Sequence, residues 1–479
     1  MMYLVRTAGS PIFDRFSGST MAGSRAAMPL ILLISLLFPG CASRALPIQP
    51  PVELPDRFAA GGAAVVPDAW WQAFGDPHLD RLVQAALGGG FSISMAWDRL
   101  DQARATAAKA GAALLPDLEV SAGAARSVQD STSTRRLYAT EYSLDLTAGY
   151  EIDLWGRLRS SRQAAQYDLA ASREDVMSAA ITLSAQVAET YMTLIEQRAI
   201  QQLLVKQLET NRKSLELITL KFGLGQVSAT DVLQQREVIA ASEGELITQE
   251  AAILVSRHAL AGLLGIPPGE LSLVIPESFP SLPERPHLGI PMDLLRRRPD
   301  IKAAELAVAA VDRRLAAAMA ERFPRLSLGL RAGASAAAVE DVLDNWLASL
   351  AANLVAPLID GGARRAEVER IKAQRSEALH SYGQKLLAAY LEVENALAQE
   401  EAQGKYLANL DKQLELSRNA TERIREYYIN GTMDFTRYLS ALLTYQRLQQ
   451  GAVTAGRRLI RYRIDLYRAL AGGWELPRG

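Results

Sequence analysis

The sequence predicts a mostly α-helical chain that carries four membrane-type β-strands and is internally duplicated. Three observations predict this. Four landmark motifs recur at a nearly constant offset of about 206–208 residues, four segments alternate apolar and polar residues with period two, and two stretches of more than 60 residues lack proline. Each unit reads helix, strand, strand, long helix, turn, helix.

The chain has 479 residues, a net charge of -1, 49% apolar residues and only 6% aromatic ones. Alanine and leucine therefore carry most of the burial, which suits long helices. The near-zero charge provides no basic field for nucleic acid, so no nucleic-acid partner is expected.

The N-terminal elements come first. Residues 28–38 (MPLILLISLLF) form an apolar run of signal-peptide length behind Arg25, too short to cross a bilayer comfortably. Residues 1–40 are read as a signal peptide, with Met21 as a possible true start because residues 1–20 hold no comparable run. Gly40 precedes Cys41, the single cysteine, so no intramolecular disulfide can form. The arrangement resembles a lipobox, although Phe38 and Pro39 depart from the usual leucine and small residue. It implies that Cys41 carries diacylglycerol and an N-acyl chain. The alternative is a non-lipoprotein signal with an ordinary cysteine, or a core helix. Ala42 in place of aspartate implies sorting to the outer membrane. Residues 41–67, rich in proline and glycine, read as an extended lipid-anchored tether.

The repeats follow. LLPDLEVSAGAA around Pro116 matches RFPRLSLGLRAGAS around Pro324, and YEIDLWGRLR around Asp153 matches APLIDGGARR around Asp360. KQLE recurs at 206–209 and 412–415, and FGLGQVSATDVL (222–233) recurs as YINGTMDFTRYL (428–439). The first repeat is placed at 68–270, a linker at 271–298 and the second repeat at 299–479.

Strands are expected near 117–128, 141–154, 325–335 and 346–358. In the second, Tyr142, Leu144, Leu146, Ala148, Tyr150, Ile152 and Leu154 share one face, and Glu141, Ser143, Asp145, Thr147, Gly149, Glu151 and Asp153 share the other. Unbroken alternation of this kind marks a strand between an apolar and an aqueous phase. Polar loops are expected at 129–140 and near 340–345, outside the cell.

Residues 158–221 contain neither proline nor glycine, and 363–430 contain only Gly383 and Gly404. Helices of this length span roughly 100 Å. Leu204, Leu208, Leu215, Ile218 and Phe222, with polar Asn211 between, fall on coiled-coil steps. Leu386, Tyr390, Val393 and Leu397 do likewise.

Four strands cannot close a barrel, and an open edge in lipid leaves backbone groups unpaired at several kcal/mol each. Several copies must therefore share one cylinder: two give eight strands and three give twelve.

The chain resembles the TolC-type outer-membrane efflux proteins, within them the NodT-like lipoproteins of multidrug pumps. The resemblance rests on AWWQAFGDPHLDRLVQAAL (69–87), the LLPDL and FPRLSL strand starts, DLWGRLR (153–159), ALAGLLGIPPGEL (259–271) and RRRPDIKAAELAVAA (296–310). It implies a homotrimer with a 12-stranded outer-membrane β-barrel, continued by a long periplasmic α-helical barrel and belted by a mixed α/β collar. It also implies a periplasmic adaptor and an inner-membrane transporter of the RND type. The two helical turns become the periplasmic tips, with Gly225, Ser228, Asp231 and Gly431 as candidate adaptor contacts. Ser228 or Thr230, and Asp434, are candidate helix caps. Family members often carry an aspartate ring at the constriction. Here Ser440 falls in that place, with Thr436 one turn earlier, so the gate candidates are Asp434, Thr436, Arg437 and Ser440.

No nucleotide-binding glycine loop and no HExxH is present, and His78, His258, His287 and His380 lack metal-ligand spacing. The pair Glu400–Glu401 is expected on a solvated helical face. No enzyme, metal or cofactor beyond the covalent lipid is expected, and the predicted function is a passive exit duct for drugs or other toxic small molecules. Type I protein secretion, metal-ion efflux and a non-conducting lipid-anchored coiled-coil scaffold are the alternatives.

Overall fold

A computed structural model describes residues 51–58, 69–131, 134–286, 291–292 and 296–471. Cys41 and the signal segment lie outside the described residues. The described residues all fall in one compact unit.

After a short 3-10 turn (Trp70–Phe74), α1 (Pro77–Gly89) and α2 (Phe91–Ala112) lead into β1 (Asp117–Ser131) and β2 (Thr134–Ile152). Helices α3 (Arg157–Gly223) and α4 (Ala229–Leu264) complete the first repeat. The second holds α5 (Pro299–Ala320), β3 (Arg325–Ala336), β4 (Trp346–Val355), α6 (Ala363–Ile429) and α7 (Phe435–Leu470). The duplication is copied to the residue. Helices α2 and α5 both have 22 residues, α3 and α6 both 67, and α4 and α7 both 36. Both ends of α3 and α4 lie 206 positions before the corresponding ends of α6 and α7.

The long helices start alike. Each follows a glycine in the left-handed region, Gly156 (φ 77°) and Gly362 (φ 88°). Just upstream an aspartate accepts from the first free N–H groups. Asp153 accepts from Leu158 N and Arg159 N, and Asp360 from Gly362 N and Arg364 N. The repeats are not separate domains. Helix α3 packs against α5 and α7, and β2 pairs with β3.

The strands form one antiparallel sheet in the order β1-β2-β3-β4. The first hairpin runs further than expected. Pairing continues through Val128↔Tyr138 to Ser131↔Thr134, so most of the segment 129–140 extends the ladder. Tyr138 and Thr140 have side chains that a strand favours, and they pair with Val128 and Arg126 across the hairpin. All four strands belong to the single sheet, and outside it the described residues hold an isolated β-bridge at Pro286. The segment before it carries Pro276, Pro280 and Pro283, which cannot donate to a ladder.

The main core gathers where the N-terminal helices cross α3. Trp70 is fully buried, stacks on Tyr467 at 6.0 Å and donates from Nε1 to Ser184 Oγ at 3.1 Å. Asp76 caps α1 through His78 N (2.8 Å) and also accepts from Tyr191 Oη (2.8 Å), fixing α1 to α3. The segment 51–58 is pinned at two points. Leu54 packs with Ile301 and Leu386, and Phe58 stacks on Tyr390 at 5.5 Å.

Glu400 departs from expectation. Only Glu401 is solvated. Glu400 is 4% exposed and is held by Arg463 (2.8 Å) and Arg285 (2.9 Å). Burial alone would raise its carboxyl, but the two guanidinium groups outweigh it and hold the pKa below the usual carboxylate range.

Candidate functional site

Two regions carry the functional geometry: the sheet, and the tips of the two helical hairpins roughly 100 Å away along α3 and α6.

No helix packs across the sheet among the described residues. Its two faces match two different phases. Directly opposed residues share a face, and the ladders join apolar to apolar: Val120↔Leu146, Ala148↔Leu330, Leu330↔Leu350. Leu118, Val120, Leu350 and Leu354 on that face are all exposed. The other face carries Glu119 opposite Thr147, Asp145 opposite Ser121, and Arg331, which donates to Asp145 at 2.9 Å. Aromatic rings bracket the apolar band. Tyr142 and Tyr150 lie eight residues apart on β2, about 26 Å along the strand. At the tilt of an outer-membrane strand, roughly 35–45°, that is about 20 Å of height, most of an apolar band about 25 Å tall. At the base, Trp155 stacks on Phe323 at 4.8 Å and donates to the Pro324 carbonyl at 2.7 Å. This bond ties the end of β2 to the start of β3. One edge of β1 and one edge of β4 are left unpaired.

At the far end, α3 and α6 turn back through near-identical structures. Gly225 (φ 72°) and Gly431 (φ 77°) adopt the left-handed conformation that ends each helix. Gln226 N then donates to Lys221 O, and Thr432 N to Tyr427 O, both at 2.9 Å. Ser228, and not Thr230, caps α4. Its Oγ accepts from Asp231 N, and the Asp231 carboxylate accepts from Ser228 N, a reciprocal capping box. Asp434 caps α7 by accepting from Arg437 N at 2.7 Å.

The gate candidates Asp434, Thr436, Arg437 and Ser440 are all exposed. They lie on the side of α7 opposite Phe435, Tyr438 and Leu439, which are buried between the tips with Ile218, Val232 and Tyr428. Among the adaptor candidates, Gly225, Ser228 and Gly431 are exposed and Asp231 is half-buried.

Sequence reasoning missed three features of the tips. Lys221 Nζ donates to the carbonyls of Tyr428 (3.0 Å) and Ile429 (3.2 Å) and sits 4.7 Å from the centre of the Tyr428 ring. Tyr428 in turn stacks on Tyr438 at 5.4 Å. Burial, with Asp231 and Tyr438 nearby, pushes the Tyr428 hydroxyl up to about 12. Further along, Asn211 is fully buried as a polar hub. It accepts from Gln446 Nε2 (3.1 Å) and from Gln235 Nε2 (2.8 Å, at its carbonyl), so α3, α4 and α7 meet on one side chain and its backbone. The position of Asn211 within an apolar stripe was the available signal; its partners lay in other parts of the sequence.

No cluster of metal-ligating side chains occurs among the described residues. The described helices include none long and apolar enough to cross a membrane.

Comparison with known proteins agrees with this geometry. The family model described as "Outer membrane efflux protein" matches residues 82–266 and 290–472. The chain is 32% identical over 464 residues to the pyoverdine export outer membrane protein OpmQ of Pseudomonas putida, covering 93% of this chain and 97% of that protein. It is 26% identical to nodulation protein T of Rhizobium leguminosarum bv. trifolii, over 92% of this chain and 96% of the relative. Among solved structures, the outer-membrane channel OprN matches with a TM-score of 0.80 at 29% identity, covering 89% of this chain and 99% of that one. The two-phase sheet continued by duplicated 67-residue helices is thus a known architecture, and this chain belongs to the outer membrane efflux protein family, as an efflux channel of the outer membrane.

Proposed function

We propose that three copies of the chain close one 12-stranded barrel and one helical duct, through which small toxic molecules leave the cell passively. A periplasmic adaptor would meet the tips around Gly225, Ser228, Asp231 and Gly431. An inner-membrane transporter of the RND type would supply the energy. Acylation of Cys41 would anchor each copy, and Asp434, Thr436, Arg437 and Ser440 would line the closable end. The duct itself needs no cofactor and performs no catalytic step.

One observation carries this reading. A helix-free sheet with two phases and two free edges runs directly into two hairpins of equal length. Lipid forbids free edges, so copies must join. A relative named for pyoverdine export favours a small-molecule cargo over secreted protein. A non-conducting scaffold would have no use for a sheet exposed on both faces.

The test is deletion and complementation. Loss of the gene should sensitise cells to several unrelated toxic compounds, the wild-type gene should restore resistance, and detergent-extracted protein should run as a trimer. A water-soluble monomer whose deletion changes no sensitivity would refute the reading.

A further inference from the structure

We propose that the free edge of β4 pairs with β1 of a second copy in one defined register, which the chain already displays at its own centre. This rests on the reading that several copies close one barrel, and adds to it the residue pairs that form the seam.

The strand ladders give the offsets. Asp117 faces Gly149 in the β1–β2 ladder, and Arg325 faces Val355 in the β3–β4 ladder. The matching strand starts, Asp117 after Pro116 and Arg325 after Pro324, make β3 the counterpart of β1 displaced by 208 positions, and the two ladders then make β4 the counterpart of β2 displaced by 206. The β2–β3 ladder is the seam where the first repeat's sheet ends and the second's begins. The remaining end and beginning are β4 and β1, whose outer edges are unpaired.

The inner seam pairs Gly149 with Gly329, Leu146 with Ala332 and Tyr142 with Ala336. Carried across by the same offsets, it sets Val355 opposite Ser121 of the partner subunit. Likewise Ala352 meets the partner's Ala124, and Ala348 meets the partner's Val128. The faces agree along the whole seam. Leu354 falls beside the partner's Ala122 on the lipid side, and Asn353 beside the partner's Gly123 on the polar side. A slip of one residue would set Leu350 and Leu354 of β4 beside residues of the partner's polar face.

The base of the sheet opposes slips of two. Inside the chain, Ile152 faces Leu326 and both are half-buried. Below them Trp155 covers Phe323 and bonds the Pro324 carbonyl. At the outer seam the counterparts are bare. Leu358 and Ile359 are 91% and 95% exposed, and Leu115 and Leu118 are each 68% exposed. The carried register sets Leu358 beside the partner's Leu118. Leu115 and Pro116 are the counterparts of Phe323 and Pro324. Leu358 and Ile359 thus supply, between copies, the apolar closure that Trp155 supplies within one.

Cysteine pairs test this in membranes expressing the full chain. Adjacent antiparallel pairs alternate between close and wide spacing, so two matched variants are needed. These are Ala352→Cys with Ala124→Cys, and Ala351→Cys with Ala125→Cys. Leu146→Cys with Ala332→Cys is the intrachain control for the first. A shifted pair, Ala352→Cys with Arg126→Cys, is the register control. On oxidation at least one matched pair should give a reducible multimer on denaturing gels, and the shifted pair should stay monomeric. A multimer from the shifted pair alone, or from no pair while native gels still show an assembly, overturns the register and leaves the assembly standing. If native gels show only monomer as well, the reading of joined copies fails with it.

Discussion

Lys221 closes the C-terminal end of a helix in the other repeat: its ammonium donates to the Tyr428 carbonyl at 3.0 Å and lies 4.7 Å from the Tyr428 ring centre. A cation at a helix C-terminus and a cation over an aromatic face are each worth about 0.3–1 kcal/mol at a partly exposed site. Replacing Lys221 by methionine should therefore loosen the junction of the two tips. Hydrogen exchange should speed up by roughly three- to tenfold at amides 428–435, with the amides of α1 (Pro77–Gly89) unchanged. Equal rates in both proteins would show that Lys221 holds nothing.

The clasp of Glu400 with Arg463 and Arg285 predicts a larger loss. In Glu400→Gln the two guanidinium groups lose their counter-charge, and Arg463 is 4% exposed. Breaking a buried pair from one side typically costs about 3–5 kcal/mol. Denaturant unfolding in detergent would read the loss, and a change under about 1 kcal/mol would reject the assignment.

The same carboxylate sets a pH dependence. Its folded pKa lies below the unfolded value, and Asp300, held by Arg298, is shifted in the same direction. Both contribute fully above the ordinary carboxylate pKa of about 4, and the contribution is lost as pH falls toward the folded values. Unfolding midpoints should thus be flat on this account from neutrality to about pH 5 and then fall. Glu400→Gln should flatten part of that acid limb.

Asn211 predicts a polar contribution within an apolar seam. In Asn211→Ala, Gln446 Nε2 loses its acceptor in a buried position. An unsatisfied buried group costs about 1–3 kcal/mol. Thermal unfolding of the variant should show the loss, and Asn211→Ala combined with Gln446→Leu should recover part of it. A double variant no better than the single would argue against the pairing.

Gly431, at φ 77°, predicts a backbone cost. Alanine there should destabilise the turn by about 1–2 kcal/mol, since an L-residue is disfavoured in that region. Gly404, within α6 with open space around its Cβ position, should instead tolerate alanine or gain from it. Comparing the unfolding midpoints of the two variants tests the distinction.

Most of the architecture was legible in the sequence because it depends on local periodicity. Alternation from Tyr142 to Leu154 identifies a two-phase strand wherever it sits, and the absence of proline from 158 to 221 permits one helix of 67 residues. The repeat offset anticipated the equal helix lengths, and the glycines at 225 and 431 anticipated the turns. What only the tertiary structure decided depends on residues far apart in the chain. Glu400 looks solvated beside Glu401, yet Arg463 and Arg285 lie 63 and 115 positions away and bury it. Lys221 and Tyr428 are separated by 207 residues, and no local pattern marks a lysine that will meet another helix's carbonyls. Period and composition act over a few residues, and so can be read along the chain. Charge pairing and polar satisfaction act across whatever space the fold brings together, and so become visible only once the helices are packed.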